Sequence, residues 1–356
     1  ELVAAEIRRL GIEPDWYPVA PGRPNVACQA ALGPKPGFVT FTGHLDTVTV
    51  AEGWETDPFE PVEKDGRLHG LGALDMKSGL AAAFLAFKRI YESKELHGRV
   101  GRIGFAATVD EEALGTGARA LLGTPYGKSD LMLLTEPFHG TGPHDPIPTV
   151  MSGKVLYRIV VRGRTSHALA HPERGINAID AAAKIVAALG QLPLGTHPVL
   201  GPANYSVLKI DGGYREYACV VPEHCEIIVT RLLVPGETRV SAVRQLEELI
   251  AGLRLEATVS VEVADPYYDA YEIDPNGRAA EAFRAAYVER LGREPFMGGL
   301  LGITDANIYQ PEGGIETIIF GPKGQGLHEK NEYVELDSLE PVVDILVDTA
   351  LRYWNQ

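Results

Sequence analysis

Five acidic or imidazole side chains in this sequence stand at the ends of buried strands or at breaks in the chain. They are His44, Asp75, Glu112, Glu136 and His328. Imidazole nitrogen and carboxylate oxygen are the donors that hold hard or borderline divalent cations. Two such ions close together need a bridging carboxylate, because their charges repel each other, and they need an open position for water. The sequence therefore predicts a site for two metal ions, with Asp75 as the bridge.

The bridging role of Asp75 depends on the stretch from Gly70 to Phe87, where Asp-Met-Lys separates a glycine-rich turn from an Ala/Leu/Phe-rich segment. Apolar residues follow at the spacing of one helical face, which predicts a packed helix over 76–93. Asp75 would then lie where a loop becomes a helix. The alternative is that Asp75 only caps this helix, and the stretch taken alone favours the cap. The charged residues at the other strand ends favour the metal site.

Two further acidic residues adjoin the candidate ligands. Asp46 lies two residues beyond His44, where it can accept the second ring N–H of that histidine and fix its tautomer. Glu111 precedes Glu112 and points elsewhere, so it can take a proton from an activated water as general base.

Strand and helix patterns alternate in the part of the chain that carries these residues. The apolar runs 37–42, 102–109 and 131–135 each end just before candidate residues. Such alternation predicts βαβ units and a mostly parallel sheet, in which ligands bind beyond the carboxyl ends of the strands. We therefore expect the candidate residues to meet at one edge of the sheet.

The pattern changes after Ser152 and Gly153. The elements that follow read β-α-β-β-α-β, which is typical of a ferredoxin-like split βαβ unit. The predicted fold class is α/β, a mostly parallel-sheet catalytic domain with an inserted α+β domain. The expected domains are residues 1–151 and 266–356 for the catalytic domain and 152–265 for the insertion.

Composition narrows the class of protein. The 356 residues carry a formal net charge of −15, which argues against nucleic acid and anionic membranes as partners. No apolar run reaches the ~20 residues that a membrane-spanning helix needs, and we recognise no signal peptide. The three cysteines, Cys28, Cys219 and Cys225, form no metal-binding or disulfide pattern. We expect a cytoplasmic protein.

Taken together, these motifs resemble the M20 family of zinc peptidases and deacylases, over nearly the whole length from Asn25 to His328. The matching stretches are GHLDTV, GALDMKSG, TVDEEALGTGAR, LLTEP, RTSHALAHPERGINAI and the late GLH. The resemblance implies two Zn²⁺ ions, for which Co²⁺ or Mn²⁺ can substitute. His44 and Glu136 would hold one ion, Glu112 and His328 the other, and Asp75 both.

The resemblance also implies roles for residues around the metals. Glu111 would be the base and Asp46 the partner of His44. His167 of the inserted domain would stabilise the oxyanion; in dimeric relatives this histidine comes from the partner subunit. Arg231 would clamp a substrate carboxylate as part of a lid. The chain departs from the family pattern in its turn at Leu71 and Ser78 and in the insertion at 219–222, and these departures leave the metal ligands in place.

The predicted function is a di-zinc hydrolase that cleaves an amide bond of an N-acyl amino acid or a short peptide bearing a free carboxylate. The sequence does not separate a deacylase from a dipeptidase or carboxypeptidase. The alternatives are a non-catalytic binder of amino acids or peptides on the same scaffold, and an enzyme with one firmly bound metal. A homodimer through the inserted domain is a further expectation.

Overall fold

Residues 1–214, 216 and 219–355 are described by the computed structural model. The helices are α1 (Leu2–Arg9), α2 (Gly79–Glu92), α3 (Thr116–Leu122), α4 (Ala178–Ala188), α5 (Arg239–Gly252), α6 (Arg278–Leu291), α7 (Ala306–Tyr309) and α8 (Leu339–Asn355). The strands are β1 (Asp15–Ala20), β2 (Arg23–Ala31), β3 (Phe38–His44), β4 (Val62–Lys64), β5 (Arg67–His69), β6 (Arg102–Thr108), β7 (Leu131–Leu134), β8 (Ile147–Met151), β9 (Gly153–Arg162), β10 (Thr196–His197), β11 (Gly201–Pro202), β12 (Tyr205–Gly212), β13 (His224–Leu233), β14 (Thr258–Tyr268), β15 (Tyr271–Glu272), β16 (Met297–Leu300), β17 (Glu316–Ile319), β18 (Gly324–Gln325) and β19 (Tyr333–Glu335).

The described residues fall into two units. The first comprises residues 1–150, 272–300 and 304–355, and the second comprises 151–271 and 301–303. Within the described residues, no helix has both the length and the apolar character needed to cross a bilayer.

The first unit is built on a six-stranded sheet with the order β1-β2-β6-β3-β7-β17. The strands β6, β3, β7 and β17 run parallel, whereas β1 and β2 pair antiparallel. Every residue of β3 is buried, as expected for a strand covered on both faces. Helix α2 packs against β3, and α6 packs against β17 and α8. The predicted α/β class with a mostly parallel sheet is confirmed.

The register of this sheet brings the ends of its central strands to one edge. His44 at the end of β3 lies opposite Thr108 at the end of β6, and Thr42 lies opposite Leu134 at the end of β7. The loops after these three strands therefore begin side by side. Those loops carry Asp46, Glu111, Glu112 and Glu136.

Helix α2 begins at Gly79, three residues later than the sequence predicted. Residues Ala73–Ser78 form an irregular turn instead, in which Asp75 and Met76 have non-helical backbone angles. A Cβ at position 79 would lie 2.0 Å from the carbonyl oxygen of Thr135, so only glycine allows the helix to start this close to the loop after β7. Within the turn, the N–H of Lys77 donates to the carbonyl of Gly72 at 2.9 Å, five residues back rather than the four of an α-helix.

A small sheet with the order β18-β19-β5-β4 lies beside this turn in the first unit. Strands β4 and β5 form a hairpin that turns at Asp65-Gly66, with φ angles of 52° and 73° at these two residues. Strand β19 pairs with β5, and Tyr333 lies opposite His69. This pairing joins the C-terminal part of the chain to the stretch that precedes Asp75.

The second unit is a four-stranded antiparallel sheet with the order β12-β13-β9-β14. Strand β13 alternates between buried and half-buried residues, and its buried side contributes to a core shared with α4 and α5. The element order, β-α-β-β-α-β, is the one predicted. Its role as a lid or dimerisation domain stays a prediction.

Candidate metal centre

His44 is the buried starting point of the candidate site in the first unit. Its Nε2 atom lies 3.2 Å from Oδ1 of Asp75 and 3.8 Å from Oε1 of Glu136. Its backbone N–H donates to the sulfur of Met76 at 3.2 Å, so the Asp-Met pair of the irregular turn contacts both the main chain and the ring of this histidine. Sequence reasoning treated Met76 only as a core residue and missed this second contact.

Asp75 faces two histidines with its two carboxylate oxygens. Oδ1 faces His44, and Oδ2 lies 3.0 Å from Nε2 of His328. The same nitrogen of His328 lies 3.2 Å from Oε2 of Glu112. The carboxylate of Asp75 is buried, whereas the side chain of His328 is about half exposed, so the cluster is open to solvent on the side of His328.

Two groups of possible ligands share Asp75. One is His44, Asp75 and Glu136, and the other is Asp75, Glu112 and His328. In each group the candidate ligand atoms lie within 4.8 Å of one another. The structure thus brings together all five residues that the sequence selected, with Asp75 in both groups.

The donors of this cluster fit divalent cations. Among the residues that the structure describes, Oε1 of Glu112 and Oε1 of Glu136 are buried and have no hydrogen-bond partner. A buried carboxylate oxygen without a donor is costly unless a cation satisfies it. Two imidazoles and several carboxylates are also the donor set that zinc and similar ions accept.

Burial and the neighbouring charges shift the pKa values of the carboxylic acids in this cluster in different directions. Burial, reinforced by the charge of Asp75, raises the pKa of Glu136 well above its ordinary value. Burial, reinforced by Asp305, likewise raises the pKa of Glu111. Burial alone would raise the pKa of Asp75 as well, but hydrogen bonds from His328 and His44 outweigh it and lower that pKa.

Both histidines of the cluster are stabilised in their protonated forms by these acids. Burial opposes the charge of His44, but its bond to Asp75 and the charges of Glu136 and Glu111 raise its pKa well above 6.5. Hydrogen bonds to Asp75 and Glu112 raise the pKa of His328 to about 10. In the absence of cations, the protons on His44 and His328 thus supply the positive charge that balances these carboxylates.

Asp46 contacts His44 through a different atom from the one predicted. The Nδ1 atom of His44 lies 3.0 Å from the backbone oxygen of Asp46, whereas the carboxylate oxygen Oδ1 is 3.7 Å away. The carboxylate instead accepts the backbone N–H groups of Glu111 at 3.3 Å and Glu112 at 3.1 Å. The backbone bond orients the imidazole, and the carboxylate holds the Glu111-Glu112 loop.

Glu111 lies at the edge of the cluster. Its Oε2 atom is 3.9 Å from Nε2 of His44, and its side chain is largely buried. The preceding residue, Asp110, has a φ of 70°, and its carboxylate accepts the hydroxyl of Thr116 at 2.5 Å. One ligand atom of each of Glu111, Glu112 and His44 lies within 4.8 Å of the other two, so the two glutamates stay close together, and the role of Glu111 as a base rather than a ligand stays a prediction.

Asp305 is a further buried acid behind the cluster. It is 1% exposed, and its Oδ2 accepts the hydroxyl of Thr108 at 3.0 Å. Burial raises the pKa of Asp305 to about 6. The residues beside it in the sequence, Thr304 and Ala306, contain no sign of this contact with Thr108.

The two predicted residues of the second unit lie in different surroundings. His167 is exposed, and its Nδ1 accepts the N–H of Leu169 at 3.2 Å, so its predicted part in stabilising an oxyanion stays a prediction. Arg231 is fully buried, and its Nη2 donates to Glu237 at 2.5 Å and to the carbonyl of Pro193 at 3.4 Å. The guanidinium is thus buried, and the predicted role of Arg231 as a carboxylate clamp stays a prediction.

Comparison with known proteins agrees with this geometry. The family model of peptidase family M20/M25/M40 matches residues 40–352. A succinyl-diaminopimelate desuccinylase of a Nitratiruptor species is 29% identical over 310 residues, which cover 84% of this chain and 80% of that protein.

Solved structures share the fold. Aminopeptidase PepT from Bacillus cereus ATCC 10987 aligns with a TM-score of 0.77 and 24% identity, over 99% of this chain and 91% of that one. The Bacillus subtilis YXEP protein, described as a dinuclear metal binding peptidase from the M20 family, aligns with a TM-score of 0.69 and 18% identity, over 98% and 91% of the two chains. The chain belongs to peptidase family M20/M25/M40 and is a hydrolase that acts on amide bonds.

Proposed function

We propose that this protein is a di-zinc hydrolase that cleaves the amide bond of an N-acyl amino acid or a short peptide. The observation that carries the proposal is the position of Asp75, whose two oxygens face His44 and His328 at 3.2 and 3.0 Å. A carboxylate that lies between two ligand groups in this way is suited to bridge two cations. The unsatisfied oxygens of Glu112 and Glu136 support the same interpretation.

The proposed ligands divide into two sets. His44 and Glu136 would hold one ion, Glu112 and His328 the other, and Asp75 would contribute an oxygen to each. Mixed imidazole and carboxylate ligation favours Zn²⁺ and also accepts Co²⁺ or Mn²⁺. The YXEP protein, whose name describes a dinuclear metal binding peptidase, shares the fold, and a count of two ions is compatible with it.

The chemistry of hydrolysis needs a base and a proton carrier besides the ions. Divalent cations supply Lewis acidity, which polarises a carbonyl and lowers the pKa of water. Glu111 would take the proton from the attacking water and transfer it to the amide nitrogen as the C–N bond breaks. A pKa raised by burial and by Asp305 suits a carboxylate that must hold this proton for a time.

The substrate class follows from the relatives rather than from the site alone. The desuccinylase relative favours an N-acyl substrate, while the likeness to aminopeptidase PepT supports only the fold. The buried position of Arg231 leaves its predicted contact with a substrate carboxylate without support. A free substrate carboxylate, a homodimer and a cytoplasmic location stay predictions.

The test is the Glu111→Gln variant, assayed with N-succinyl and N-acetyl amino acids and with dipeptides. Glutamine keeps the shape of the side chain but cannot accept the proton, so we expect kcat to fall by roughly 10²–10⁴-fold. Metal content, measured by elemental analysis, should equal that of the wild type. The matched control is Glu60→Gln, which changes an exposed glutamate and should leave turnover unchanged. Turnover near the wild-type rate in Glu111→Gln would refute the base assignment.

A further inference from the structure

Glu332 is a buried carboxylate that the proposed reaction does not use. It is 2% exposed and directly precedes β19. Because β19 pairs with β5, Glu332 lies next to Gly70, whose N–H donates to the Glu332 backbone oxygen at 3.2 Å. Strand pairing therefore places this side chain at the irregular turn that carries Asp75.

The carboxylate of Glu332 accepts three backbone N–H groups of that turn. Oε2 accepts from Gly72 at 2.8 Å, and Oε1 accepts from Leu74 at 2.7 Å and from Asp75 at 2.8 Å. Hydrogen bonds to an ionised acceptor are shorter and stronger than neutral ones. Three of them in a buried place fix the main chain of the turn far more firmly than its own backbone bonds would.

The turn needs such an external acceptor because it is not helical at the decisive residue. Asp75 has non-helical angles, φ −111° and ψ 99°, and its N–H donates to the carboxylate of Glu332. Fixing the nitrogen of Asp75 fixes the direction of its Cα–Cβ bond. That direction in turn sets where Oδ1 and Oδ2 lie relative to His44 and His328.

The segment around Glu332 also supplies one of the candidate ligands. His328 precedes Glu332 by one short turn in which His328 and Asn331 both have positive φ angles, of 59° and 60°. Asn331 anchors this turn by accepting the N–H of Glu55 at 2.9 Å. One segment thus carries an imidazole that contacts Asp75 and the carboxylate that holds the main chain of Asp75.

We propose that Glu332 is a positioning residue that holds the backbone of Asp75 so that its two carboxylate oxygens serve two metal ions. The inference rests on the proposed two-metal function. Glu332 would act through the three N–H groups that its carboxylate accepts. Metal affinity should therefore depend on an acid that is not itself a ligand.

The test compares metal binding by wild type, Glu332→Gln and the matched control Glu335→Gln. Glutamine has the shape of glutamate, but its amide turns one acceptor into a donor that faces backbone donors. The control changes an acid of the adjoining strand β19, Glu335, which pairs with Lys323 at 3.1 Å. The measurements are the dissociation constant of Co²⁺ for the metal-free protein, by competition with a chromogenic chelator, and the visible absorption spectrum of the Co²⁺ form.

We expect Glu332→Gln to weaken Co²⁺ binding by about 10- to 100-fold and to change the spectrum, while Glu335→Gln leaves both unchanged. If Glu332→Gln is recovered unfolded by circular dichroism, Glu332→Asp replaces it, with the same expectation of weaker binding. Unchanged affinity and spectrum in the folded variant would overturn the proposal, even if its melting temperature fell. A wild-type chain that binds no Co²⁺ or Zn²⁺ would instead contradict the proposed function, and the role of Glu332 with it.

Discussion

Asp75 and His328 illustrate how single residues in this site exchange protons for cations. In the metal-free chain, Asp75 and Glu112 raise the pKa of His328 to about 10, so its imidazole is protonated at neutral pH. A metal ion binds only the neutral ring. Proton and cation therefore compete for the same nitrogen, and the same holds for His44.

This competition predicts a pH dependence of metal affinity. Because the protonated form of His328 prevails below about pH 10, apparent affinity should rise as pH increases from 7 to 9. The stability of the metal-free fold should change with pH in the opposite direction to metal affinity. The hydrogen bonds of protonated His328 stabilise this fold fully below pH 6.5, and the stabilisation is lost as pH rises through about 10. Titration calorimetry in two buffers of different ionisation enthalpy measures the protons released. We expect net release of protons on full loading at pH 7, with contributions from His328 and His44, and no release would contradict the assignment.

The turn before α2 shows what an element contributes to the site. Gly79 starts the helix where a Cβ would lie 2.0 Å from the carbonyl oxygen of Thr135. The close approach brings Met76 beneath His44 and keeps Asp75 at the edge of the sheet. A side chain at position 79 would have to push the turn away from β7.

The Gly79→Ala variant should therefore lose about 1–3 kcal/mol of unfolding free energy, as overpacked cores do. Urea denaturation followed by circular dichroism measures this loss. Gly98→Ala is the control, because no atom lies within 4 Å of a Cβ there and its φ is not positive. Equal stability of the two variants would show that the turn moves without cost.

The sequence predicted the helices and strands better than it predicted the turns that connect them. Apolar runs and strand order sufficed for the parallel sheet, since buried parallel strands have a clear pattern. The start of α2 was predicted three residues early, because the helical spacing of apolar residues continues through a turn whose N–H groups bond to Glu332. A contact between residues so distant in the chain leaves no local pattern.

The site shows the same division. Residue type and position, at strand ends or at breaks in the chain, selected Asp75 and the four residues around it. This worked because strand ends at one sheet edge lie close together. The atoms that form the contacts were harder to predict from the sequence. Asp46, for example, contacts His44 through its backbone oxygen and not through its carboxylate. Arg231 was predicted to clamp a substrate carboxylate, whereas in the structure it is buried and pairs with Glu237. Burial of a charged side chain depends on tertiary packing that a single sequence does not display.

At the scale of the whole molecule, the first unit assembles its site from chain segments at both ends. His44, Asp75, Glu112 and Glu136 come from the part before the second unit, and His328 comes from the part after it. Binding of cations should therefore tie these two parts of the first unit together. Ligands that bind only the folded state stabilise it, by about 2.7 kcal/mol at a free concentration of 100 Kd.

The central claim is that one pair of ions is shared through Asp75, and a titration of the metal-free protein with Co²⁺ tests it most directly. We expect the wild type to bind two equivalents and His328→Ala to retain one. Saturation of the wild type at a single equivalent, or two equivalents still bound by His328→Ala, would contradict the account.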